Sequence, residues 1–334
     1  MKREDFLREY VSHIKIEPTM TVNQLIKKFD DSGCFGAGRV ATACDIFERM
    51  IRDEGCTVFL TVAGAVVPAG LRTIIVDLIH KKRVDVVVST AASMVHDLIE
   101  AFGGHHYKGH WLVDDFTLYK YHIYRIYDIF VTEEDYLKLD APLADMYAEI
   151  AAENRNNPLA SHEFMWEIGK RLKDPNSIVR AAYETKVPIF LPALRDSEFG
   201  YVYWLYSQRA KSNNLLQIDA FKEVPEIIRI MQNSERIGMM ILGGGVPRNT
   251  VQHAALTAKK GMDYAAIITM DRPETGGLSG STLEETVSWG KVKRSAEKVM
   301  VIGDVLIVFP LIVAAVEERL KNSPQPMKEQ RKTK

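Results

Sequence analysis

The segment from residue 276 to residue 310 carries the side chains best suited to covalent chemistry. A loop rich in glycine and serine is followed by Glu285, Trp289, Gly290 and Lys291. A lysine becomes a covalent catalyst when burial or a neighbouring cation keeps its amine neutral, because only the neutral amine can form an imine. Trp289 could provide an apolar wall and a ring face for a cationic substrate, and Glu285 could pair with a substrate ammonium. Composition alone favours the simpler interpretation that Lys291 is one of many solvated helix lysines.

Three turns made of small residues follow predicted strands and could hold a ligand. Gly243–Gly245 precedes a helix that begins near Asn249, and Gly64 and Gly70 flank a second turn. The third turn follows a strand, with Thr90 at the strand end. Glycine lets the backbone turn tightly, and free N–H groups at a helix start can meet negative charge. One extended ligand across the sheet edge, such as a dinucleotide, suits these turns, although other ligands or plain strand-to-helix turns also fit them.

The elements that position these segments alternate between short β-branched runs and amphipathic helical patterns, which indicates βαβ units. We predict an α/β fold: a doubly wound, mostly parallel, Rossmann-like sheet with helices on both faces and ligands at the strand C-termini. The predicted strands are Thr57–Val62, Val84–Ser89, Val187–Phe190, Met239–Leu242, Tyr264–Ile268 and Val299–Ile302, and predicted helices include Val40–Asp53, Ala69–Lys81 and Val224–Asn233.

Residues 1–320 are predicted to form a single large domain with a helical cap at about 140–186. The apolar run from Val305 to Val316 is too short to cross a bilayer and contains Pro310. It is predicted to be a buried strand that leads into a helix. The tail 321–334 is basic and contains proline, which predicts disorder.

Composition limits the classes of function. The 334 residues include 43 basic and 44 acidic side chains, a net charge of −1, whereas a nucleic-acid binder usually has a basic excess. The three cysteines form no CxxC pair, which favours a reducing, cytoplasmic compartment. The N-terminal sequence MKREDFLREYVSHIK has no apolar core and is not typical of a secretory signal. We therefore expect a cytoplasmic protein that binds neither nucleic acid nor membrane.

Two further segments have simple structural interpretations. Residues 119–130 are rich in tyrosine, and their alternation predicts a strand with one face buried. Cys34 is predicted to be a buried structural thiol, because no histidine partner is evident.

The run EETVSWGKVK, residues 284–293, resembles the active-site signature of deoxyhypusine synthases, in which a lysine stands in a Ser-Trp-Gly-Lys context. Four other blocks resemble the same family in order and spacing, and the likeness covers roughly residues 30–320. These blocks are VDVVVSTAA (84–92), VPIFLPALRDSEFG (187–200), MMILGGGV (239–246) and GDVLIVFPLIVA (303–314). The chain is identified as a member of that family.

The resemblance implies an NAD-binding fold and a transfer of an aminobutyl or other aminoalkyl group. NAD accepts a hydride from a polyamine carbon, the resulting imine loses a diamine, and the aminobutyl group passes to the lysine, here Lys291. A second amine then attacks, and the hydride returns. The resemblance places the cofactor against Gly64, Ala65, Pro68, Thr90, Ala91, Asp196, Asp304 and Val305, and the amine substrate against His96, Gly244, Asn249, Glu285 and Trp289. It requires no metal, so His105, His106 and His110 are expected to form a polar loop and no metal site.

Several positions depart from the family pattern. An aspartate of the family is replaced by Tyr201, a histidine by Asn249 and a second aspartate by Leu278, and the Glu-Glu-Asp block becomes Val95-His96-Asp97. The lost groups would hold or deprotonate polyamine nitrogens, and each desolvated charge pair is worth roughly a few kcal/mol. We therefore expect a rewritten substrate pocket, with His96 and Asp271 as candidate replacements.

These departures predict a polyamine-dependent transferase whose acceptor is a small amine, as in the deoxyhypusine synthase-like branch and the homospermidine synthases. The alternative is the deoxyhypusine synthase reaction itself, with a lysine of the hypusine-type translation factor as acceptor. A second alternative is a relative that binds NAD without catalysis. The resemblance also implies a homotetramer whose active sites lie at a dimer interface.

Overall fold

The structure is a computed structural model that describes residues 3, 7, 9–210 and 215–322. At its centre lies a sheet of six strands, which pair in parallel throughout. Three shorter strands form a separate antiparallel sheet. The strands are β1 (Cys56–Val62), β2 (Val86–Ser89), β3 (Tyr107–Lys108), β4 (Ile123–Ile126), β5 (Ile129–Thr132), β6 (Ile189–Phe190), β7 (Arg236–Leu242), β8 (Met262–Thr269) and β9 (Val292–Ile302).

Helices cover both faces of the large sheet, and each face has its own buried apolar cluster. The cluster on one face includes side chains of α2, α3, α4 and α13, and the cluster on the other includes side chains of α10, α11 and α12. The helices are α1 (Val22–Ser32), α2 (Phe35–Arg52), α3 (Arg72–His80), α4 (Ala91–Ala101), α5 (Asp115–Lys120), α6 (Glu133–Glu153), α7 (Ser161–Arg171), α8 (Ile178–Thr185), α9 (Glu198–Arg209), α10 (Glu223–Asn233), α11 (Gly245–Thr257), α12 (Leu283–Ser288) and α13 (Val305–Asn322).

The predicted doubly wound parallel sheet is confirmed. The strand order is β6-β2-β1-β7-β8-β9, so the chain builds outward from β1 in one direction and from β7 in the other. The switch point of the topology therefore lies between β1 and β7. In open α/β sheets, ligands bind in the crevice outside the carboxyl ends of the strands at this point.

The apolar run from Val305 to Val316 was expected to begin as a strand, and this expectation is wrong. The whole run is helical and belongs to α13, with Pro310 inside the helix. A continuous apolar run has no periodicity that separates a buried strand from a buried helix. The helix includes Lys321 and Asn322, the first two residues of the predicted tail, and residues 323–334 lie outside the described residues.

The segment predicted as a helical cap, about 140–186, is largely helical, and its first helix begins before residue 140. Its first helix, α6, starts at Glu133, where Thr132 accepts a hydrogen bond from the backbone of Asp135 and the Asp135 side chain accepts one from the backbone of Thr132. This reciprocal capping box is a strong start signal for a helix. The cap continues through α7 and α8, and α8 ends at Thr185.

The tyrosine-rich segment is not the single half-buried strand that its alternation predicted. It comprises the end of α5, then β4, then a tight turn at Tyr127 and the start of β5. His122 and Tyr127 both have positive φ, which interrupts any continuous strand. The side chains of Tyr119, Tyr121 and Tyr127 are exposed.

Among residues 9–210 and 215–322, no helix combines the length and the apolar content that a bilayer crossing requires.

Candidate active site

The residues expected to hold the cofactor all follow the carboxyl ends of strands of the large sheet. Gly64, Ala65 and Pro68 follow β1, Thr90 and Ala91 follow β2, Asp196 follows β6, and Asp304 and Val305 follow β9. Because the strands are parallel, these turns lie along one edge of the sheet. Gly64, Asp196 and Asp304 are exposed there, whereas Pro68, Ala91 and Val305 are buried supports.

The turns after β1 and β2 are connected directly by side chains. The hydroxyls of Thr90 and Ser93 are 2.9 Å apart, and the Ser93 hydroxyl donates to the backbone oxygen of Gly64 at 3.2 Å. Gly64 has a φ of 83°. This left-handed conformation favours glycine. At the far side of the edge, the Asp304 carboxylate accepts the backbone N–H of Leu306 at 2.8 Å and so caps the start of α13.

The Gly243–Gly245 turn lies beside Gly64 at the switch point. Gly243, Gly244 and Gly245 have φ values of 79°, 141° and 60°. A side chain at Gly244 would place its Cβ 2.8 Å from the Cα of Ser279. Glycine is therefore required where the loop before α12 passes over the start of α11.

Lys291 lies immediately before β9 and is not a solvated helix lysine. Its backbone N–H donates to the Thr286 oxygen at 3.1 Å, and its own oxygen accepts the Met262 N–H at 3.1 Å. The residue is only 7% exposed. The ammonium nitrogen Nζ lies 5.0 Å from the centre of the Trp289 ring. Within the described part of the chain, the amine has neither a hydrogen bond nor an ion pair.

The surroundings of Lys291 favour the neutral amine. Burial lowers the pKa of Lys291, the nearby Arg248 guanidinium lowers it further, and the Glu285 carboxylate opposes both. Loss of hydration and a neighbouring cation are the two effects that make a lysine nucleophilic.

Arg248 is a buried neighbour of Lys291 that the sequence analysis missed. It lies in the first turns of α11, is fully buried, and its Nη1 donates to the backbone oxygens of Leu278 and Ser281 at 3.0 and 2.9 Å. A sequence signal was available, because Arg248 shares the helix face of Val251 and Ala255 at the spacing i, i+3, i+7.

The predicted amine-binding residues do not lie in one place. Asn249 is on α11, and Glu285 and Trp289, both exposed, belong to α12 and its end, just before Lys291, whereas Gly244 lies in the turn at the carboxyl edge. His96 lies elsewhere, on α4, which packs on the opposite face of the sheet from α11. The structure therefore does not bring His96 to Lys291 within one chain.

His96 is the end of a buried hydrogen-bonded chain. Its Nδ1 is 2.9 Å from Nε2 of His106, whose Nδ1 is 2.8 Å from a carboxylate oxygen of Glu100. Burial and the neighbouring His106 lower the pKa of His96 to about 4, so its ring is neutral near pH 7. Over the described residues, no group of three or more His, Cys, Asp or Glu side chains has the arrangement of a metal site.

Two carboxyl groups on α6 and α9 were also missed. Burial raises the pKa of both Asp140 and Glu198, and Asp140 raises that of Glu198 further. One oxygen of Asp140 is buried without a hydrogen-bond partner. Glu198 lies one helical turn before Tyr201, the exposed residue that stands where the family pattern has an aspartate. Asp271, the other candidate replacement, is exposed after β8.

Lys291 and Asp304 lie at opposite ends of the sheet. The Lys291 oxygen bonds to Met262 at the start of β8, whereas Ile302, just before Asp304, pairs with Thr269 at its end. Seven residue steps at about 3.3 Å each separate these levels by roughly 23 Å. One chain therefore holds two separate groups of predicted site residues.

Comparison with known proteins agrees with the fold and the sequence signature. A family model described as deoxyhypusine synthase matches residues 24–316. "Probable deoxyhypusine synthase 1" of Methanosarcina acetivorans is 46% identical over 311 residues, which are 93% of this chain and 95% of the relative. "Probable deoxyhypusine synthase 2" of Archaeoglobus fulgidus is 41% identical over 286 residues, 83% of this chain and 92% of the relative.

A solved structure shows the same fold. The crystal structure of an Entamoeba histolytica protein assigned as a deoxyhypusine synthase superposes with a TM-score of 0.64 at 21% identity, covering 91% of this chain and 96% of that one. The matched region includes every block that carries the sequence resemblance. This chain belongs to the deoxyhypusine synthase family, a family of transferases.

Proposed function

We propose that this chain catalyses an NAD-dependent aminobutyl transfer from a polyamine through an imine on Lys291, the reaction type of deoxyhypusine synthases. The observation that carries the proposal is the state of Lys291: the residue is only 7% exposed, its amine is unpaired within the described residues, and burial together with the Arg248 cation lowers its pKa. An amine in a poorly hydrated environment without a hydrogen bond or an ion pair costs stability, and the contact with the Trp289 ring offsets this cost only in part. Reaction with an electrophilic carbon explains why such a group is present.

The residues at the carboxyl edge of the sheet fit a dinucleotide. Gly64 and Gly243 flank the switch point with positive φ and present backbone that a ligand can approach closely. Asp196 and Asp304 provide exposed carboxylates along the same edge, and carboxylates are common acceptors for ribose hydroxyls. When bound, NAD would supply the hydride acceptor and donor that the transfer requires.

Lys291 would act as the carrier of the aminobutyl group. Its neutral amine attacks the imine carbon of the oxidised donor, a diamine leaves with the bonding electrons of its own C–N bond, and the four-carbon group remains on Nζ as an imine. An acceptor amine then displaces Lys291, which leaves as a neutral amine. The ring of Trp289 covers one side of Nζ and can hold the cationic states of this sequence.

A complete site would need a second copy of the chain. The distance of roughly 23 Å along β8 between the levels of Lys291 and Asp304 is longer than a lysine side chain can bridge. We propose that Lys291 faces the dinucleotide edge of a neighbouring subunit, consistent with the dimer-interface sites that the resemblance implies. A homotetramer would contain two such pairs.

Asp140 and Glu198 would supply negative charge for a substrate ammonium. Neither has a cationic partner within 4 Å in the described part of the chain, and each has its carboxyl pKa raised by burial. A bound ammonium would relieve both effects. Their position near Tyr201 supports the interpretation that a lost family carboxylate has been replaced one helical turn away, so that a polyamine can still bind.

The acceptor is proposed to be a lysine side chain of a protein, as the names of the relatives suggest for those proteins. A small amine is the second candidate, and the replacements at Tyr201, Asn249 and Leu278 favour it because they change the side chains expected around the substrate. A non-catalytic NAD-binding relative is disfavoured by the environment of Lys291.

Trapping experiments test the proposal. The protein is incubated with NAD and spermidine, reduced with borohydride and weighed intact. We expect an aminobutyl adduct that disappears in Lys291→Ala and persists in Lys293→Ala, because Lys293 is two residues away and pairs with Asp263 at 2.7 Å. Putrescine or the hypusine-type translation factor, when added before the borohydride, should accept the group from the imine and so prevent the adduct, and the effective additive identifies the acceptor. Binding of NAD with no adduct from any amine would contradict the transferase proposal.

A further inference from the structure

One edge of the Arg248 guanidinium has no hydrogen-bond partner in the protein. Nη1 is anchored by the backbone oxygens of Leu278 and Ser281, whereas Nε and Nη2 are buried and have no hydrogen-bond partner. These two groups point in the same direction from the planar guanidinium. That edge is the one that binds a carboxylate or phosphate through two parallel hydrogen bonds.

Gln252 adds two more polar atoms without a hydrogen-bond partner beside Arg248. It lies four residues after Arg248 on α11, so the two side chains are neighbours on one face of the helix. Both residues are fully buried, and both Oε1 and Nε2 of Gln252 lack partners. A buried polar atom without a partner costs about 1–3 kcal/mol, and more when it is charged. Two neighbouring side chains with four such atoms therefore indicate a partner from outside the protein.

The local charge favours an anionic partner. Burial lowers the pKa of Arg248 to about 10, so the guanidinium remains positively charged near pH 7. Glu285 is the carboxylate that opposes this effect, yet it forms no ion pair with Arg248 within 4 Å. Lys291 adds a second basic group nearby.

We propose that Arg248 and Gln252 form a binding site for an oxyanion, with the Nε and Nη2 groups of Arg248 as a two-pronged donor and the Gln252 amide as a third contact. The identity of the ligand rests on the proposed function, because the site adjoins Lys291. The oxyanion is a phosphate of the dinucleotide or a carboxylate of the protein that carries the acceptor lysine, because spermidine and putrescine have no carboxylate. In either case the bound charge offsets the Arg248 cation and raises the pKa of Lys291.

Anion binding can be measured without catalysis. Thermal unfolding of the full-length protein is followed during titration with inorganic phosphate or 4-aminobutanoate, at constant ionic strength maintained with chloride. We expect a saturable rise in Tm for the wild type. The apparent Kd should weaken about tenfold or more in Gln252→Leu, which leaves the anchors of Arg248 in place, and further in Arg248→Lys, which retains the charge but lacks the fork. Arg229→Lys is the control, because Arg229 is exposed on α10 and pairs with Glu226.

Competition separates the two sources of the oxyanion. If saturating NAD abolishes the response to phosphate, the site holds a cofactor phosphate. If 4-aminobutanoate competes with phosphate while NAD binds independently, the site holds a carboxylate of the acceptor protein. The proposal is overturned if no anion gives a saturable shift, or if Gln252→Leu and Arg248→Lys respond like the wild type, since water alone would then satisfy the unpaired atoms.

The anion site and the transferase proposal can fail separately. Lys291→Ala should lose the borohydride adduct and retain the response to phosphate. An enzyme that forms the adduct without any anion response would keep the proposed function and lose this inference. If Arg248→Lys does not fold, the Gln252→Leu result alone decides.

Discussion

Asp97 lies on α4, the helix that follows Thr90, and its hydrogen bonds connect α4 to the start of α8. Its carboxylate is fully buried and accepts hydrogen bonds from Arg72 Nε at 2.7 Å, from the Ser177 hydroxyl at 2.7 Å and from the N–H groups of Ile178 and Val179 at 3.0 and 3.1 Å. The negative charge also meets the positive end of the α8 dipole. We therefore expect Asp97→Asn to destabilise the protein strongly although the side chain keeps its shape.

The magnitude follows from what remains after the substitution. Breaking a buried ion pair by removing one partner costs about 3–5 kcal/mol, because the other charge stays buried. Arg72 would still bond to Asp174 at 2.7 Å and to Glu100 at 3.3 Å, which places the expected loss at the lower end, about 3 kcal/mol. The new amide would also direct N–H groups at donors that the carboxylate had satisfied.

Urea unfolding at a fixed protein concentration measures this loss, since the stability of an oligomer depends on concentration. Asp77→Asn is the matched control, because Asp77 is 66% exposed and lies 3.5 Å from a half-exposed Lys81. Surface pairs of this kind contribute about 0–1 kcal/mol. If Asp97→Asn lowers the free energy of unfolding by less than about 1 kcal/mol, or if both variants lower it equally, then Asp97 does not stabilise the contact between α4 and α8.

Three other predictions concern charge and reactivity. Arg248→Gln removes a cation that lowers the pKa of Lys291, so the pH dependence of adduct formation should shift to higher pH, whereas Arg248→Lys should not shift it; an unchanged profile in Arg248→Gln would contradict the electrostatic role. Glu198→Gln should raise the KM for spermidine about tenfold, as expected for roughly 1.4 kcal/mol of lost ammonium binding. In the wild type, the affinity for spermidine should fall when the pH is lowered, and the fall should begin above the usual glutamate range because the pKa of Glu198 is raised. Equal KM values for the wild type and Glu198→Gln would show that Glu198 is not part of the site. A thiol reagent should label only Cys34 in the native protein, because Cys34 is partly exposed at the start of α2 and the other two cysteines are buried, and rapid labelling of more than one thiol, measured by intact mass, would contradict this.

The sheet could be predicted from the sequence because buried parallel strands are apolar on both faces. β1 and β2 are buried at every position and correspond to mostly apolar runs that are rich in β-branched residues. The predicted ends of the strands were less accurate. β7 begins at Arg236 and β9 at Val292, both earlier than predicted, because backbone pairing continues through polar side chains that break the apolar pattern.

The failures have identifiable physical causes. Cys34 was expected to be buried, yet it is partly exposed immediately before α2. Asp140 and Glu198 are 58 residues apart in the sequence, and only the packing of α6 with α9 brings them together. Arg248 was overlooked because a charged residue after a glycine turn is usually exposed. These three errors concern a long-range contact or an exception to average burial.

The parallel sheet itself explains why the two groups of site residues are separate. Every turn after a strand lies at the carboxyl edge, so a residue immediately before β9, such as Lys291, must lie at the opposite edge from Asp304. A two-fold pair of chains removes this restriction, because each Lys291 can face the carboxyl edge of the other copy and two equivalent sites result. Lys291→Ala and Asp304→Ala would then be inactive alone, but random mixing of the two by joint refolding should restore about one quarter of the wild-type activity, since half of the pairs are mixed and each mixed pair contains one intact site. Mixtures of either variant with itself provide the baseline. A mixture that stays at this baseline, although a tag on one variant co-purifies the other, would contradict a site shared between two chains.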